Sequence, residues 1–525
     1  MRKSRVSHSI FVLGFVALVG VLLNSPSAEA AKKAKKSGQT QNVETASAQV
    51  NQALGLVRAK QYQQAVPLLY TLSRRPEYAK EHMQIKYALG TSLLELGLNQ
   101  IAAFQFVEVI KDAKNRYVRQ AIEKLSLAAD ALGDDTLLNY AVSKIKVDEI
   151  PETGRDLIYF RLGEIKMRLS EFPQAIEVFN RVPPASRYGF LSRYNKAASL
   201  LELGKPKEAI SIFKELVASR SGTNVTDTNR TVAMLGLARA YYQATDWENS
   251  VAAYREIPRD HPLWHDVLFE STWANLRAAK FRSALSNFQS LHSAYYDDFY
   301  IPESLLLRAI VYLYICKYDE MEKVLSLFTR QYGPVRAQMN QFLGNVEPTA
   351  YFQEVEAANN LQSGRLISQN KPKLPLKVDY RILREGDVKR GFTYLRALND
   401  EKNRLESMPN LMRSPIAAVG RKILGNRYKN AKVAIGEMVK AHLVDMKADL
   451  RDLYEQAEFI RYEMINGQKE QLKKRIAGKD VPGLVNESID RSMYVQNGYE
   501  YYPFNGEYWL DEIGNYHYLG KQSCE

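Results

Sequence analysis

Hydrophobic and polar residues follow one recurring pattern between about residues 45 and 335. Each copy has a small or loop residue, a residue two positions later that is usually aromatic, a small residue three further on and an apolar residue four beyond that. Apolar positions three and four apart are typical of amphipathic helices, so every copy predicts two helices that meet at the loop residue. The copies are Lys60-Tyr62-Ala65-Leu69, Gly97-Asn99-Ala102-Phe106, Ser170-Phe172-Ala175-Phe179, Gly204-Pro206-Ala209-Phe213, Thr245-Trp247-Ser250-Tyr254, Ala279-Phe281-Ala284-Phe288, Cys316-Tyr318-Met321-Leu325 and a degenerate copy around Gly133 and Leu138.

The third position of the pattern recurs with a nearly constant period. From Ala65 to Met321 the steps are 37, 36, 37, 34, 41, 34 and 37 residues. The longest step contains the polar stretch Ser219 to Thr228, which predicts a loop insertion. The spacing therefore predicts an array of about eight helix pairs over residues 45–335.

These residues resemble the tetratricopeptide (TPR) repeat, whose period is about 34 residues. The first-helix part of the TPR motif also matches, at Leu89-Gly90, Leu162-Gly163 and Leu237-Ala238. The resemblance implies an all-α, right-handed superhelix in which neighbouring pairs bury each other's apolar faces and leave a concave surface for partners. TPR arrays bind peptides, helices or partner domains, so the resemblance implies a scaffold rather than an enzyme.

The chain changes character after the array. Residues 336–367 predict a helical extension, and the prolines in residues 368–377 indicate an extended linker. Residues 378–480 predict long helices with a coiled-coil seam. The seam comprises Leu443, Met446, Leu450, Leu453, Ala457, Ile460 and Met464, and a shorter partner seam comprises Phe392, Leu395, Leu398 and Leu405, with the stem of Lys402 between them. Two interpretations remain open: an antiparallel hairpin within the chain, or pairing with a second copy or a partner helix through residues 443–464.

The last segment, residues 481–525, is rich in aromatic residues and Asn-Gly pairs. Asn-Gly is favoured in two-residue hairpin turns, so the segment predicts a small β-meander after the helical part. Its rings could cover the end of the array, bind another protein or stack on the sugars of peptidoglycan. The candidate partner-binding residues are Tyr499, Tyr501, Tyr502, Phe504, Tyr508, Trp509, Tyr516 and Tyr518. The tail also resembles those of envelope TPR proteins from predatory and gliding bacteria, which adds gliding-motility-type machinery to the alternatives.

Residues 1–30 are typical of a bacterial secretory signal. Basic residues precede a 14-residue apolar run, and Ala28 and Ala30 fit the small residues of a cleavage site. The run is short for a bilayer core that needs about 20 residues, so cleavage is favoured over a retained anchor. No cysteine follows the run, so a lipoprotein is not expected. We expect a periplasmic protein that begins with the basic, flexible segment 31–44 and has no transmembrane span after cleavage.

Composition and charge narrow the function further. The 525 residues are 46% apolar and 25% charged, which excludes collagen-like, disordered and polytopic membrane proteins. A formal charge of +13 favours acidic partners, but it is spread too evenly to indicate nucleic acid. The two cysteines, Cys316 and Cys524, exclude a disulfide-dense scaffold. Cys316 is either a core residue or one half of a disulfide that joins the tail to the array.

Motifs for chemistry are nearly absent. The chain has no phosphate-binding glycine loop and no nucleophile elbow. His261 and His265 form the nearest approach to a metal cluster, but Pro262 favours a turn between repeats. Glu487-Ser488 is the only match to lytic transglycosylases, without the rest of their signature. The sequence thus predicts no catalytic residue, no metal and no cofactor. It predicts a periplasmic scaffold that binds envelope proteins. The alternatives are a peptidoglycan-binding protein and, less favoured, a glycan-cleaving enzyme.

Overall fold

The computed structural model describes residues 39–112, 115–134, 136–142, 155–219, 226–344, 347–364, 371–478, 509, 513–516 and 518. Every regular element within these ranges is a helix, which confirms the all-α class. The β-meander is not supported, because the described tail residues 513–515 form a turn and no strand occurs among the described residues. Backbone donors of this tail bind serine side chains of a helix instead of a neighbouring strand.

Among the described residues, the first sixteen helices form eight consecutive pairs, the number that the sequence period predicts. They are α1 Gln39–Arg58 with α2 Tyr62–Leu72, α3 His82–Glu95 with α4 Asn99–Lys111, α5 Val118–Leu132 with α6 Thr136–Val142, α7 Arg155–Arg168 with α8 Phe172–Asn180, α9 Gly189–Glu202 with α10 Pro206–Ala218, α11 Asp227–Gln243 with α12 Trp247–Arg255, α13 Trp264–Arg277 with α14 Phe281–Leu291, and α15 Pro302–Tyr314 with α16 Tyr318–Leu343.

The loop residue of the repeated pattern is the residue that ends each first helix. At Gly97 the backbone is left-handed, with φ of 71°, and its N–H donates to the carbonyl of Leu94 while that of Leu98 donates to Leu93. This pair of hydrogen bonds is the Schellman motif, which closes a helix and turns the chain. All eight loop residues of the pattern have positive φ: Lys60, Gly97, Gly133, Ser170, Gly204, Thr245, Ala279 and Cys316.

The small and apolar positions of the pattern form the core. The third-position residues are at most 1% exposed, and the fourth-position residues at most 3%. Close approach of the two helices of a pair requires the small first-helix residues: a Cβ on Gly163 would lie 2.4 Å from Cε1 of Phe179. The same residues that repeat in the sequence are thus the ones that two neighbouring helices bury between them.

Five further helices follow the array. They are α17 Pro348–Gln362, α18 Leu376–Leu383, α19 Gly386–Glu406, α20 Pro409–Met412 and α21 Pro415–Ile476. The described residues form two compact units: unit 1 contains those up to Leu203 with Thr393–Lys429, and unit 2 contains those of Gly204–Phe392 with those from Asn430 onward. Helices α19 and α21 contribute to both units.

The long helices pair in a different register from the one that the seams predict. Within unit 2, Gly391 of α19 packs against Ile435 of α21, and Asp387 lies 2.9 Å from Nε2 of His442. Within unit 1, Leu405 packs against Gly420. Helix α19 therefore runs antiparallel to residues 420–442, because the short connection after α19 brings the start of α21 beside it.

The predicted seam at residues 443–464 packs on the last repeat instead. The ring of Tyr454 lies 4.8 Å from that of Phe328 on α16, and Arg461 lies 3.6 Å from Glu322. All seven seam residues are at most 9% exposed. The seven seam side chains are therefore covered within the chain and do not form the surface for a second copy, whereas other side chains of residues 443–464 are exposed.

Candidate functional site

A basic cleft lies at the N-terminal end of the array, in unit 1. Two connections form it: the segment from α2 to α3 and the segment from α4 to α5. The cavity has a volume of about 650 Å³. Its lining residues are Ser73, Arg74, Arg75, Pro76, Ala79, Lys80, His82, Met83, Gln84, Asp112, Asn115, Arg116 and Tyr117.

Side-chain hydrogen bonds hold described residues of both walls of the cleft. A short 3-10 turn at Pro76–Tyr78 follows α2, and the buried Tyr78 donates its hydroxyl hydrogen to Oε1 of Gln49 at 2.7 Å. In the second wall the N–H of Tyr117 donates to Oδ1 of Asn115 at 2.8 Å. Side chains of this kind replace backbone partners in tight turns. The described residues of these connections are therefore held in place, so charged side chains can be presented on them.

Positive charge dominates the cleft. Arg74, Arg75, Lys80 and Arg116 are exposed, and none of them forms an ion pair with another described residue, whereas Asp112 is the single acidic lining residue. Burial and the neighbouring Lys86 lower the pKa of His82, so this imidazole adds no charge at neutral pH. The lining thus carries a net charge of about three positive units, which attracts anionic groups and favours carboxylate binding.

Aromatic rings provide an apolar wall beside these charges. The guanidinium of Arg116 lies 4.8 Å from the ring centre of Tyr117, and this ring stacks on Tyr87 at 5.3 Å. Arginine binds carboxylates through two parallel hydrogen bonds, and an adjacent ring contacts the aliphatic parts of a peptide. The cleft can therefore hold an acidic peptide segment.

The end of the tail occupies a second surface, in unit 2. Ile513 is buried against Leu268 and Leu291, and Gly514 packs beside Trp264. The N–H of Gly514 donates to Oγ of Ser290 at 2.7 Å. One turn earlier on α14, Oγ of Ser286 accepts from the N–H of Tyr518 at 3.0 Å. The described part of the tail, which begins with the turn at residues 513–515, therefore packs along α14.

The structure describes three of the eight tail aromatics. Tyr516 and Tyr518 are half-buried, and burial together with Tyr312 and Glu320 raises the pKa of Tyr518 to about 12. Trp509 is 61% exposed. The other five candidates, Tyr499, Tyr501, Tyr502, Phe504 and Tyr508, lie outside the described residues, so the role of the tail in partner binding stays a prediction.

Cys316 lies in the left-handed turn before α16. It is disulfide-bonded rather than a free thiol, and Tyr318 donates a hydrogen bond to its Sγ at 3.6 Å. Cys524 lies outside the described residues, so its pairing with Cys316 stays a prediction.

His261 and His265 take structural positions between two repeats. The N–H of Leu263 donates to Nδ1 of His261 at 3.2 Å, as in a tight turn. The buried Nε2 of His265 lies 2.7 Å from the guanidinium of Arg384 and 2.9 Å from Oδ1 of Asp266. The positive charge of the Arg384 guanidinium disfavours binding of a metal cation by His265. The geometry therefore favours the interpretation of these histidines as part of a turn between repeats. No group of three or more metal-ligating side chains occurs in the described ranges.

Glu401 of α19 makes a long-range contact that the sequence pattern does not indicate. Its carboxylate accepts hydrogen bonds from the N–H groups of Gln100 and Ile101, at 2.7 and 3.0 Å, and so caps α4. Burial raises its pKa to about 7 despite these bonds. Sequence analysis did not identify the basic cleft either. A count of charged residues in each connection between repeats would have indicated Arg74 and Arg75.

No described helix has the length and apolarity needed to cross a membrane.

A family model for the tetratricopeptide repeat matches residues 194–263. No curated protein matches the sequence.

Several solved structures show a loose likeness to the chain. The apo form of RapI is 11% identical, and the alignment covers 68% of this chain and 99% of RapI at a TM-score of 0.35. Yeast Tom70 is 13% identical, with coverage of 86% and 99% and a TM-score of 0.26. The TPR domain of P58(IPK) is 15% identical, with coverage of 73% and 99% and a TM-score of 0.19. These superpositions are too loose to support a statement on function.

Proposed function

We propose that this chain, in which a tetratricopeptide-repeat model matches residues 194–263, is a non-enzymatic scaffold that binds acidic peptide segments of partner proteins. The basic cleft in unit 1 is the observation that supports this proposal most directly. Its four unpaired cations, Arg74, Arg75, Lys80 and Arg116, lie in connections between repeats, where a repeat protein can change surface residues without disturbing the stack.

The charge of the cleft indicates the class of ligand. Arg74 and Arg75 form no ion pair with a described residue, and Arg116 donates a hydrogen bond only to the hydroxyl of Tyr117 among the described residues, so donors of these guanidinium groups can bind carboxylates in pairs. The size of the cavity, about 650 Å³, is in the range of sites that hold a few side chains of a peptide. A peptide rich in Asp or Glu therefore fits the cleft better than a neutral or basic one.

Binding of a labelled peptide to the full chain tests the proposal. We expect a fluorescein-labelled peptide of alternating Glu and Ala to raise fluorescence anisotropy, and the matching Gln-Ala peptide to bind at least tenfold more weakly. The double variant Arg74→Glu/Arg116→Glu should lose this binding. Salt should weaken it as well, because the contacts are exposed ion pairs.

A matched control separates the cleft from overall charge. Arg255→Glu/Arg277→Glu changes the net charge by the same amount at two exposed positions of unit 2, and should leave peptide affinity unchanged. Equal loss of binding in both double variants, or equal affinity for the Glu and Gln peptides, would reject a specific acidic-peptide site.

We further propose that the protein acts in the bacterial periplasm as part of an envelope complex. The signal-like segment at residues 1–30 supports export, and cell fractionation with detection of the mature N-terminus tests it. Cross-linking in intact cells followed by mass spectrometry would identify the partner. A pull-down on purified peptidoglycan tests the glycan-binding alternative, which the exposed Trp509 favours.

A further inference from the structure

The C-terminal part of α21 carries a second apolar face besides the buried one. Five large apolar side chains there are 54–80% exposed: Phe459, Tyr462, Ile465, Leu472 and Ile476. In a helix with 3.6 residues per turn they fall within one sector of about 140°. The buried residues Leu453, Ala457, Ile460 and Met464 lie on another sector of the same helix.

The exposed face continues along a part of α21 that makes few contacts with the described chain. Gly467 packs against the ring of Tyr318, but residues 468–478 are exposed apart from the half-buried Gln471. A helical end of this length is marginal in water unless an apolar face is covered. Exposed apolar side chains that recur on one side of a helix indicate an interaction surface.

Charge along this face is distributed in a self-complementary way. Between Arg451 and Glu463 the helix carries four acidic and two basic residues, whereas Lys469 to Ile476 contains four basic and one acidic residue. A parallel pair of such helices would place like charges together. An antiparallel pair places the acidic end of each helix against the basic end of the other.

We propose that this face of α21 binds the same face of a second copy of the chain, in an antiparallel arrangement. Pairing centred near Ile465 places Phe459 of one copy against Leu472 of the other, because both lie six or seven residues from the centre. The same register places Glu458 against Lys473. A two-fold interface of this kind is closed, so it gives a dimer and no larger assembly.

The length of the face indicates the strength of the dimer. From Phe459 to Ile476 the helix spans about 25 Å, which is short for a permanent interface. We therefore expect a reversible dimer with a dissociation constant in the micromolar range. Because charged side chains flank the apolar residues, added salt should weaken it.

Sedimentation velocity of the full chain across a range of concentrations tests the dimer. The wild-type protein should shift from monomer to dimer as concentration rises, and Phe459→Glu/Ile465→Glu should raise the dissociation constant at least tenfold. Leu127→Glu, at a 44% exposed leucine of α5, is the control and should behave as wild type. A wild-type monomer at all concentrations would overturn the proposal.

Charge exchange tests the orientation of the two helices. Glu455→Lys/Glu458→Lys and Lys469→Glu/Lys473→Glu should each be monomeric alone and should form a mixed dimer when combined. Strengthening of the wild-type dimer by salt would overturn the antiparallel arrangement. If residues 479–508 of the same chain cover this face, Phe459→Glu lowers stability without changing mass, which also overturns the proposal. Peptide binding by the cleft provides a separate readout, since the cleft residues belong to unit 1.

Discussion

The left-handed turn at Gly133 allows a sharp test of how the repeats are closed. Gly133 ends α5 with φ of 68°, and its N–H donates to the carbonyl of Asp130 at 3.3 Å. A Cβ at this position would meet Cγ2 of Thr393 at 3.4 Å, which is an ordinary contact. Any cost of Gly133→Ala therefore comes from the backbone, and a left-handed non-glycine residue costs about 1–2 kcal/mol.

The matched control is Gly425→Ala in α21, also in unit 1. Gly425 is helical and exposed, and a Cβ there would have nothing within 4 Å. Alanine is favoured over glycine by about 0.5–1 kcal/mol inside a helix, so this variant should be more stable than wild type. The same chemical change thus has opposite signs at two positions, because the backbone conformations differ.

Hydrogen exchange measured by mass spectrometry reports the local stability of each helix in both variants. Since 1–2 kcal/mol corresponds to a factor of about 5–30 in an equilibrium, amides of α5 and α6 should exchange about 5–30 times faster in Gly133→Ala. Amides around residue 425 should exchange more slowly in Gly425→Ala. Unchanged exchange in Gly133→Ala, or protection that changes in the same direction in both variants, would refute the reasoning from backbone conformation.

Four further substitutions, at three residues, test buried and half-buried charges. Glu401→Ala leaves two buried N–H groups of α4 without acceptors and should cost about 1–3 kcal/mol in thermal unfolding, whereas Glu401→Gln keeps an acceptor and should cost less. His442 and Asp387 form a hydrogen-bonded pair. Burial alone would lower the pKa of His442 and raise that of Asp387, but the hydrogen bond between them outweighs burial, so the pKa of His442 is raised and that of Asp387 is lowered. Stability from this pair should be full between about pH 3.8 and 6.5 and fall outside that window, and His442→Gln should flatten the profile. Burial and, to a smaller extent, the charge of Glu354 raise the pKa of Asp379 to about 8. Ionisation of this carboxyl therefore destabilises the wild-type protein, so the stability advantage of Asp379→Asn should grow from pH 3.8 upward and become constant above pH 8. Unfolding titrations at several pH values measure this advantage.

Short-range features of the fold were predictable because they depend on residues close together in the chain. The loop residues of the repeat were recognised from spacing alone, and each has the left-handed backbone that ends a first helix. The third-position residues were also recognised, and each is buried. A helix pair of about 34 residues brings its own contacting residues within reach, so its pattern recurs in the sequence.

Candidate sites were less predictable than the repeats, because a binding surface needs no periodic pattern. Arg74 and Arg116 are separated by one repeat and meet in one cleft only because the stacked helices place successive connections side by side. The apolar residues after Phe459 were overlooked, since the stronger seam at residues 443–464 lies on the same helix.

The amino-acid sequence by itself determined the number of helix pairs, the turns between them and the residues that each pair buries. Only the tertiary structure decided that α19 pairs with the first part of α21, that Glu401 caps a helix 300 residues earlier, and which face of α21 stays exposed. The physical reason is distance along the chain. Local spacing encodes contacts within one helix pair, whereas contacts between distant helices depend on which faces remain open after the repeats have stacked.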